Sequence, residues 1–162
     1  MDKSVIRPKR LSTGGTIGIV APAGKVDCTL LNRGVTDIEQ AGFKVILAKQ
    51  IEKSHRYFAG TDMDRANDFL EMMKNKEVDA VFCARGGSGS ARILPYIDGR
   101  PIPPKILVGC SDITTLLLYL HQKRHVITFH GPMVATPSWS VPLADSYLFK
   151  ILSGDPIQMH TP

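Results

Sequence analysis

Five short apolar runs rich in β-branched residues recur along the chain, and they constrain its fold more than any other feature. They span residues 16–21, 44–48, 79–84, 105–109 and 126–129. Their apolarity is continuous rather than alternating, a pattern typical of strands that are covered on both faces. The sequence therefore predicts about five buried strands.

Helical patterns lie between these runs. Apolar residues recur there at spacings of three and four, which places them on one stripe of a helix. Thr61 or Asp62 can cap the second of these helices. Because strands and helices alternate, we expect an α/β fold with a parallel, Rossmann-like sheet, flanking helices and right-handed crossovers. The three stripes consist of Leu31, Val35 and Ile38, of Ala66, Phe69, Leu70 and Met73, and of Ile113, Leu116, Leu117 and Leu120.

The composition argues against several classes of protein. A chain of 162 residues with ordinary apolar and charged fractions is long enough for one domain with a core. Its net charge of +5 comes partly from a basic amino-terminal stretch, and no basic helix face accompanies it, so we expect no nucleic-acid partner. No apolar run approaches the roughly 20 residues of a membrane span, so we expect no membrane partner and a cytoplasmic location.

The cysteines indicate a reducing compartment. Cys28, Cys83 and Cys110 are odd in number and show neither C-x-x-C nor metal-ligand spacing. Such a pattern favours neither a disulfide framework nor a zinc site. We therefore expect a protein without a metal and without a cofactor.

Four polar or glycine-rich segments follow the predicted strands. They are "APAG" (residues 21–24), "RGGSGSAR" (85–92), "GCSD" (109–112) and "HGP" (130–132). In parallel α/β sheets, ligands bind beyond the carboxyl ends of the strands, where helix N-termini and glycine-rich turns converge. The sequence therefore predicts a functional site at this edge.

The "RGGSGS" turn offers several backbone N–H groups that no side chain shields. Such a turn can hold a phosphate, a carboxylate or an oxyanion. It is not a Walker A motif, because no Gly-Lys-Ser/Thr follows it. By itself, the turn could equally be structural, with glycines present only because the backbone there needs positive φ angles.

The "GCSD" segment has the form of a nucleophile elbow, in which a strand, a tight turn and a helix follow one another. It lacks the second glycine of G-x-S-x-G. At such a turn the hydroxyl of Ser111 would lie above the sheet, and the N–H of Asp112 could face an oxyanion. Ser111 could equally be a helix cap, although Thr114 stands where a capping box has Glu or Gln.

A serine nucleophile requires a base, and distance limits the candidates. His121 and His125 lie ten and fourteen residues after Ser111, which places them roughly 15 and 20 Å down the helix at about 1.5 Å per residue. Only His130, at the end of the fifth strand, falls on the same edge, and a histidine there is more often a structural hydrogen-bond partner. The residues alone complete no convincing triad.

Several motifs together resemble a known family. In order, "TIGIVAPAG", "YFAGTDMDRANDF", "VFCARGGSGSARILPYID", "ILVGCSDITTLLLYLHQ" and "TFHGP" resemble the amino-terminal domain of the LD-carboxypeptidases. These are serine peptidases with a Ser–Glu–His triad, and they include the microcin C immunity peptidases. The resemblance implies a cytoplasmic hydrolase that cuts an L-to-D amide bond and releases terminal D-alanine from murein tetrapeptides in peptidoglycan recycling.

The resemblance also implies roles for individual residues. Ser111 matches the family's nucleophile, and the backbone N–H groups of Gly87 and Asp112 would form the oxyanion hole. Two residues depart from the family pattern, because Ser88 and Cys110 stand where the family often has aromatic residues, which leaves substrate preference open. We expect further contacts with the murein peptide from Gly86, Ser88, His130 and Gly131.

The resemblance implies a second domain as well. The family's Glu and His come from a carboxy-terminal domain, and they have no matching positions in these 162 residues. We expect a basic segment over residues 1–13, the LD-carboxypeptidase amino-terminal domain over 14–137, and a linker towards the missing domain over 138–162. In the full-length family, the resemblance implies a homodimer.

Two functional classes follow from these observations. The first is the nucleophile-bearing half of a serine carboxypeptidase, inactive by itself because its Glu and His are absent. The alternative is a non-catalytic α/β module that binds a small anionic ligand through the "RGGSGS" turn. We also expect the tail between residues 139 and 152 to expose apolar side chains that the second domain covers. These side chains are Trp139, Val141, Leu143, Tyr147, Phe149 and Leu152.

Overall fold

The computed structural model describes residues 4–139 and 147–156. Within them, five strands form one sheet in the order β2-β1-β3-β4-β5, and every pairing is parallel. The predicted parallel α/β fold is therefore confirmed. The strands are β1 (Thr16–Val20), β2 (Lys44–Leu47), β3 (Ala80–Cys83), β4 (Ile106–Gly109) and β5 (Phe129–His130).

Helices connect the strands, as the apolar stripes predict. Thr61 is the N-cap of the second helix, and its side chain forms a capping box with Asp64. The stripe residues are buried apart from Val35, which is half-buried. No helix of the described part of the chain is long and apolar enough to cross a membrane. The helices are α1 (Cys28–Gln40), α2 (Asp62–Lys74), α3 (Ser90–Ile97), α4 (Thr114–Arg124) and α5 (Tyr147–Ser153), with a 3₁₀ turn at Ser111–Ile113.

The fifth strand lies later in the sequence than its apolar run predicts. The run covers residues 126–129, whereas β5 consists of Phe129–His130. The reason is a competing pairing, because the N–H of Ile127 donates to the carbonyl of Ile6 at 3.0 Å and Ile6 in turn donates to His125 at 2.7 Å. The amino-terminal segment thus pairs with this stretch before it reaches β4.

The segment after β5 crosses the carboxyl edge of the sheet. The N–H of Gly131 donates to Gly109 at 3.1 Å, and the N–H of Ala135 donates to Ala84 at 2.8 Å. Farther along, Arg33 of α1 donates to the carbonyl of Trp139 at 2.9 Å. The segment therefore runs from β5 past the ends of β4 and β3 to α1.

The expectation of an exposed apolar tail is wrong for three of its residues. Trp139 and Leu152 are 0% and 1% exposed, and Phe149 is also buried. Both aromatic rings pack against Phe82 of β3, with ring centroids 6.4 Å and 5.9 Å away. The chain thus uses these side chains to cover its own sheet. Tyr147 is 64% exposed, and Val141 and Leu143 lie outside the described residues.

The burial of α5 predicts unequal effects of two neighbouring substitutions. Leu152→Ala should lower the free energy of unfolding by about 2–5 kcal/mol, because it empties a fully buried site. Ile151→Ala, in the same helix at 45% exposure, should cost less than about 1 kcal/mol. Urea denaturation of the two variants measures the difference, and equal effects would show that α5 does not belong to the core.

Candidate functional site

The turn after β4 holds its serine in an unusual backbone conformation. Cys110 is extended, and Ser111 then has a φ of 55° before the 3₁₀ turn and α4 begin. The left-handed region costs a non-glycine residue roughly 1–2 kcal/mol. Such strain persists only where the surrounding structure enforces it, and it is frequent at active sites. The arrangement has the strand-turn-helix form of a nucleophile elbow.

The side chain of Ser111 does not cap a helix. No side-chain hydrogen bond caps the 3₁₀ turn, whose N-cap is Cys110, or α4, whose N-cap is Ile113. The serine is exposed, and its hydroxyl forms no hydrogen bond with any described residue. The capping interpretation is therefore wrong, and the hydroxyl is accessible to a ligand.

The glycine turn after β3 lies against this serine. A Cβ atom on Gly86 would be 3.3 Å from the Cβ of Ser111 and 3.4 Å from the Cε of the buried Met133. Gly87 follows with a φ of 102°, and Gly87 and Ser88 are exposed. Among the described residues, none accepts a hydrogen bond from the N–H of Gly87 or of Asp112. Two backbone donors without a described partner are thus available, one in the glycine turn and one directly after the serine.

Two hydrogen bonds join the glycine turn to the elbow. The Oδ2 atom of Asp112 accepts from the N–H of Ser90 at 2.9 Å. The hydroxyl of Ser90, which is fully buried, donates to the backbone carbonyl of Asp112 at 2.6 Å. The sequence pattern predicts a role for the N–H of Asp112 and none for its carboxylate. No local signal in the sequence identifies this link, because the two residues are 22 positions apart.

Tyr57 covers the other side of the glycine turn. Its ring and hydroxyl occupy the space that a Cβ on Gly87 would need, and they also lie beside Gly24. The side chain is 44% exposed. Its ring meets Phe58 edge-on, with centroids 5.5 Å apart. In the sequence this tyrosine is recognisable only as part of the family motif "YFAGTDMDRANDF", which predicts no role for it.

A buried arginine from the same motif, Arg65, binds the backbone of the glycine turn. Arg65 is 2% exposed and donates to three backbone carbonyls, those of Pro22, Gly60 and Gly89, at 3.2, 2.9 and 3.4 Å. It also lies over the ring of Phe58, 4.8 Å from the centroid. One side chain thus connects the loop after β1, the start of α2 and the glycine turn.

Asp62 pairs with two arginines of this cluster. It accepts hydrogen bonds from Arg92, between 2.8 and 3.1 Å, and from Arg65. The hydrogen bond with Arg92 and then those with Arg65 lower the pKa of Asp62 against the opposing effect of burial. The carboxylate therefore stays ionised at neutral pH and offsets part of the positive charge of its two arginine partners.

The structure places the remaining predicted site residues on the neighbouring strand. His130 lies in β5 opposite Gly109 of β4, and Gly131 donates to the carbonyl of Gly109. His130 is exposed and, among the described residues, forms no hydrogen bond with Ser111. The elbow, the glycine turn and Met133 are therefore brought together, while His130 flanks them without contacting the hydroxyl.

Cys110 precedes the serine but is poorly suited to act as a nucleophile. Burial raises the pKa of its thiol. A thiol that remains protonated at neutral pH is a weak nucleophile. No three His, Cys, Asp or Glu side chains cluster as metal ligands within residues 4–139 and 147–156.

Comparison with known protein families agrees with this geometry. The family model described as the LD-carboxypeptidase N-terminal domain matches residues 17–131. The chain belongs to this family. The match includes the glycine turn, the elbow and Tyr57, so the family resemblance and the geometric site coincide on the same residues.

Two curated relatives carry related names. The chain is 43% identical over 132 residues to the probable murein peptide carboxypeptidase of Bacillus subtilis, covering 80% of this chain and 41% of the relative. It is 35% identical over 134 residues to the murein tetrapeptide carboxypeptidase of Pseudomonas aeruginosa, covering 80% and 43%. The chain therefore spans less than half the length of these relatives.

A solved structure shows the same fold. The structure of MccF in complex with glutamyl sulfamoyl guanosine matches with a TM-score of 0.83 and 31% identity. The match covers 94% of this chain and 48% of that chain. The described fold is thus shared with one part of a longer protein.

The positive φ of Ser111 and its lack of a capping bond predict how two substitutions affect stability. Ser111→Ala should change the free energy of unfolding by less than about 0.5 kcal/mol, because the hydroxyl caps nothing, whereas loss of a true cap costs about 1 kcal/mol. Ser111→Gly should be more stable than Ser111→Ala, by up to about 1 kcal/mol, because glycine accepts a positive φ. Thermal and urea denaturation test both values. A loss of about 1 kcal/mol or more in Ser111→Ala would restore the capping interpretation.

Proposed function

We propose that this chain is the nucleophile-bearing part of a muramoyl-tetrapeptide LD-carboxypeptidase. The whole enzyme would hydrolyse the L–D amide bond of murein tetrapeptides and release terminal D-alanine during peptidoglycan recycling in the cytoplasm. The observation that carries this proposal is the position of Ser111, which is exposed, has a φ of 55° and lies beside a glycine turn. Family membership and the names of the relatives support the substrate class.

In this proposal, the elbow and the turn act together. The hydroxyl of Ser111 attacks the peptide carbonyl, and the N–H groups of Gly87 and Asp112 stabilise the oxygen as it becomes negative. Gly86 and Ser88 contact the substrate from the turn, and His130 and Gly131 contact it from the end of β5. Donors positioned in advance stabilise the transition state without reorganising, and this stabilisation often contributes more to catalysis than any other effect.

The base is supplied from outside the described residues. A serine hydroxyl is a weak nucleophile unless a base takes its proton, and no described residue forms a hydrogen bond with the hydroxyl of Ser111. The family resemblance implies a Glu and a His from a carboxy-terminal domain. We therefore propose that residues 14–137 form the nucleophile domain and that residues 138–162 lead towards its partner domain. The full-length enzyme would be a homodimer.

Assembly with the second half should produce activity. We expect the 162-residue chain alone to show no measurable cleavage of a murein tetrapeptide. Joined in cis or in trans to the carboxy-terminal half of the Bacillus subtilis relative, it should release D-alanine. Ser111→Ala should then lower kcat by about 1,000-fold or more, because the nucleophile is lost. Released D-alanine is measured by a coupled assay.

Two further variants make this experiment specific. Ser12→Ala, at an exposed serine far from the elbow in sequence, should leave the rate unchanged. His130→Ala should lower it by less than about tenfold, because His130 is proposed to contact substrate and not to act as the base. Cleavage by the isolated chain that disappears in His130→Ala would make His130 the base. Binding of the peptide without any cleavage by the assembled protein would favour the non-catalytic binding module.

A further inference from the structure

Arg85, the first residue of the glycine turn, carries a charge that no described carboxylate neutralises. Its side chain is half-buried, and its Nη1 atom donates to the carbonyl of Lys25 at 2.9 Å. None of the ion pairs among the described residues includes Arg85. Its other guanidinium N–H groups form no hydrogen bond with the described residues. The arginine is thus fixed at one nitrogen and has donors to spare.

The acidic groups around the turn are already engaged. Asp62 accepts from Arg65 and Arg92 on one side of the turn. The carboxylate of Asp112 accepts from the N–H of Ser90 at 2.9 Å on the other side. The charge of Arg85 is therefore free to attract an anion from outside the chain.

Tyr57 offers a second donor on the same turn. Its hydroxyl occupies the space that a Cβ atom on Gly87 would need, and it forms no hydrogen bond with any described residue. Two backbone hydrogen bonds tie its loop to the turn through the loop after β1. The N–H of Lys25 donates to the carbonyl of Tyr57 at 3.0 Å, and the N–H of Gly24 donates to Gly86 at 3.1 Å. Arg85 and Tyr57 are thus held by one set of connected loops.

We propose that Arg85 and Tyr57 bind the carboxyl terminus of the peptide, an inference that rests on the proposed carboxypeptidase function. A carboxypeptidase must distinguish a chain end from an internal bond, and the chain end carries a carboxylate. That carboxylate lies one residue, about 3.8 Å, beyond the bond that is cut. Gly86, next to Arg85 in the chain, packs so closely that a Cβ atom on it would lie 3.3 Å from the Cβ of Ser111. Arg85 thus belongs to the same short turn as Gly86 and Gly87, which packs against the serine.

The chemistry of the two side chains fits a carboxylate. A guanidinium presents parallel N–H donors that match the two oxygens of a carboxylate, and such charged hydrogen bonds are the strong ones. The tyrosine hydroxyl adds a neutral donor. A purely structural role for Arg85, as a bond to the carbonyl of Lys25, would give no preference for a charged peptide end.

Two peptides separate these roles. The 162-residue chain with Ser111→Ala, which cannot cleave, is titrated with a murein tetrapeptide that ends in D-alanine as the free acid or as the carboxamide. Binding is followed by calorimetry and by the NMR amide signals of the glycine turn. The free acid should bind about 10-fold more tightly, as expected for one charged hydrogen-bonded pair.

Substitutions should change this preference in a defined order. Arg85→Met should reduce the preference for the free acid to less than about threefold. Arg85→Lys should keep an intermediate preference, because lysine retains the charge but lacks the parallel N–H donors of a guanidinium. Tyr57→Phe should weaken binding of the free acid by a few-fold without changing the melting temperature, because the lost hydroxyl makes no bond in the fold. Arg33→Met is the matched control, since Arg33 also donates to backbone carbonyls and pairs with no described carboxylate. It should leave the preference intact.

The outcomes separate this inference from the proposed function. Equal binding of the two peptides, no detectable binding of the free acid, or a preference that survives Arg85→Met would each overturn the carboxylate subsite. A preference that depends on Arg85, in a protein that never cleaves after assembly with its second half, would retain the subsite and refute the proposed activity.

Discussion

The pair of hydrogen bonds between Ser90 and Asp112 is the constraint on which the candidate site depends. Ser90 begins α3 directly after the glycine turn, and Asp112 follows Ser111, so the pair fixes the distance between the turn and the serine. The carboxylate also lies at the N-terminus of α3, where the helix dipole favours a negative charge. Because Ser90 is fully buried, removing either partner would leave a buried polar group unpaired, at a cost of about 1–3 kcal/mol. Both proposed oxyanion donors therefore belong to one rigid unit.

Arg65 forms a second set of hydrogen bonds that holds this unit in place. A buried guanidinium is tolerated only when its donors are satisfied, and Arg65 meets this condition with three carbonyls and Asp62. One of those carbonyls belongs to Gly89, immediately before Ser90. The glycine turn is thus held from α2 as well as from the elbow. This explains why a turn with so few side chains of its own can keep its N–H groups in place for a ligand.

The sequence predicts elements that local patterns control and misses those that distant pairings control. Continuous apolar runs located β1 to β4 within one residue at each end, because buried strands leave a clear local signal. They misplaced β5 because Ile6, about 120 positions away, pairs with the start of that run. Burial of Trp139 and Phe149 was missed because a second domain was expected to cover them, whereas both rings pack against Phe82 of the chain's own sheet. The letters of "GCSD" suit a cap and an elbow equally, and only the φ of Ser111 and its missing capping bond distinguish them.

The glycine two residues before Ser111 completes the physical account of the elbow. A Cβ atom on Gly109 would lie 2.6 Å from the Cγ2 of Ile113 and 3.3 Å from the Cβ of Cys83, so only glycine lets Ile113 fold back beneath the turn. Ile113 is fully buried there, and burying such a side chain contributes about 1.5–3 kcal/mol. This gain is of the same size as, or larger than, the roughly 1–2 kcal/mol that the left-handed conformation of Ser111 costs. Ile113, packed beneath the turn, and Asp112, bonded to Ser90, therefore over-determine the backbone at Ser111. The serine is strained because its neighbours pack well, and its side chain is left exposed to solvent.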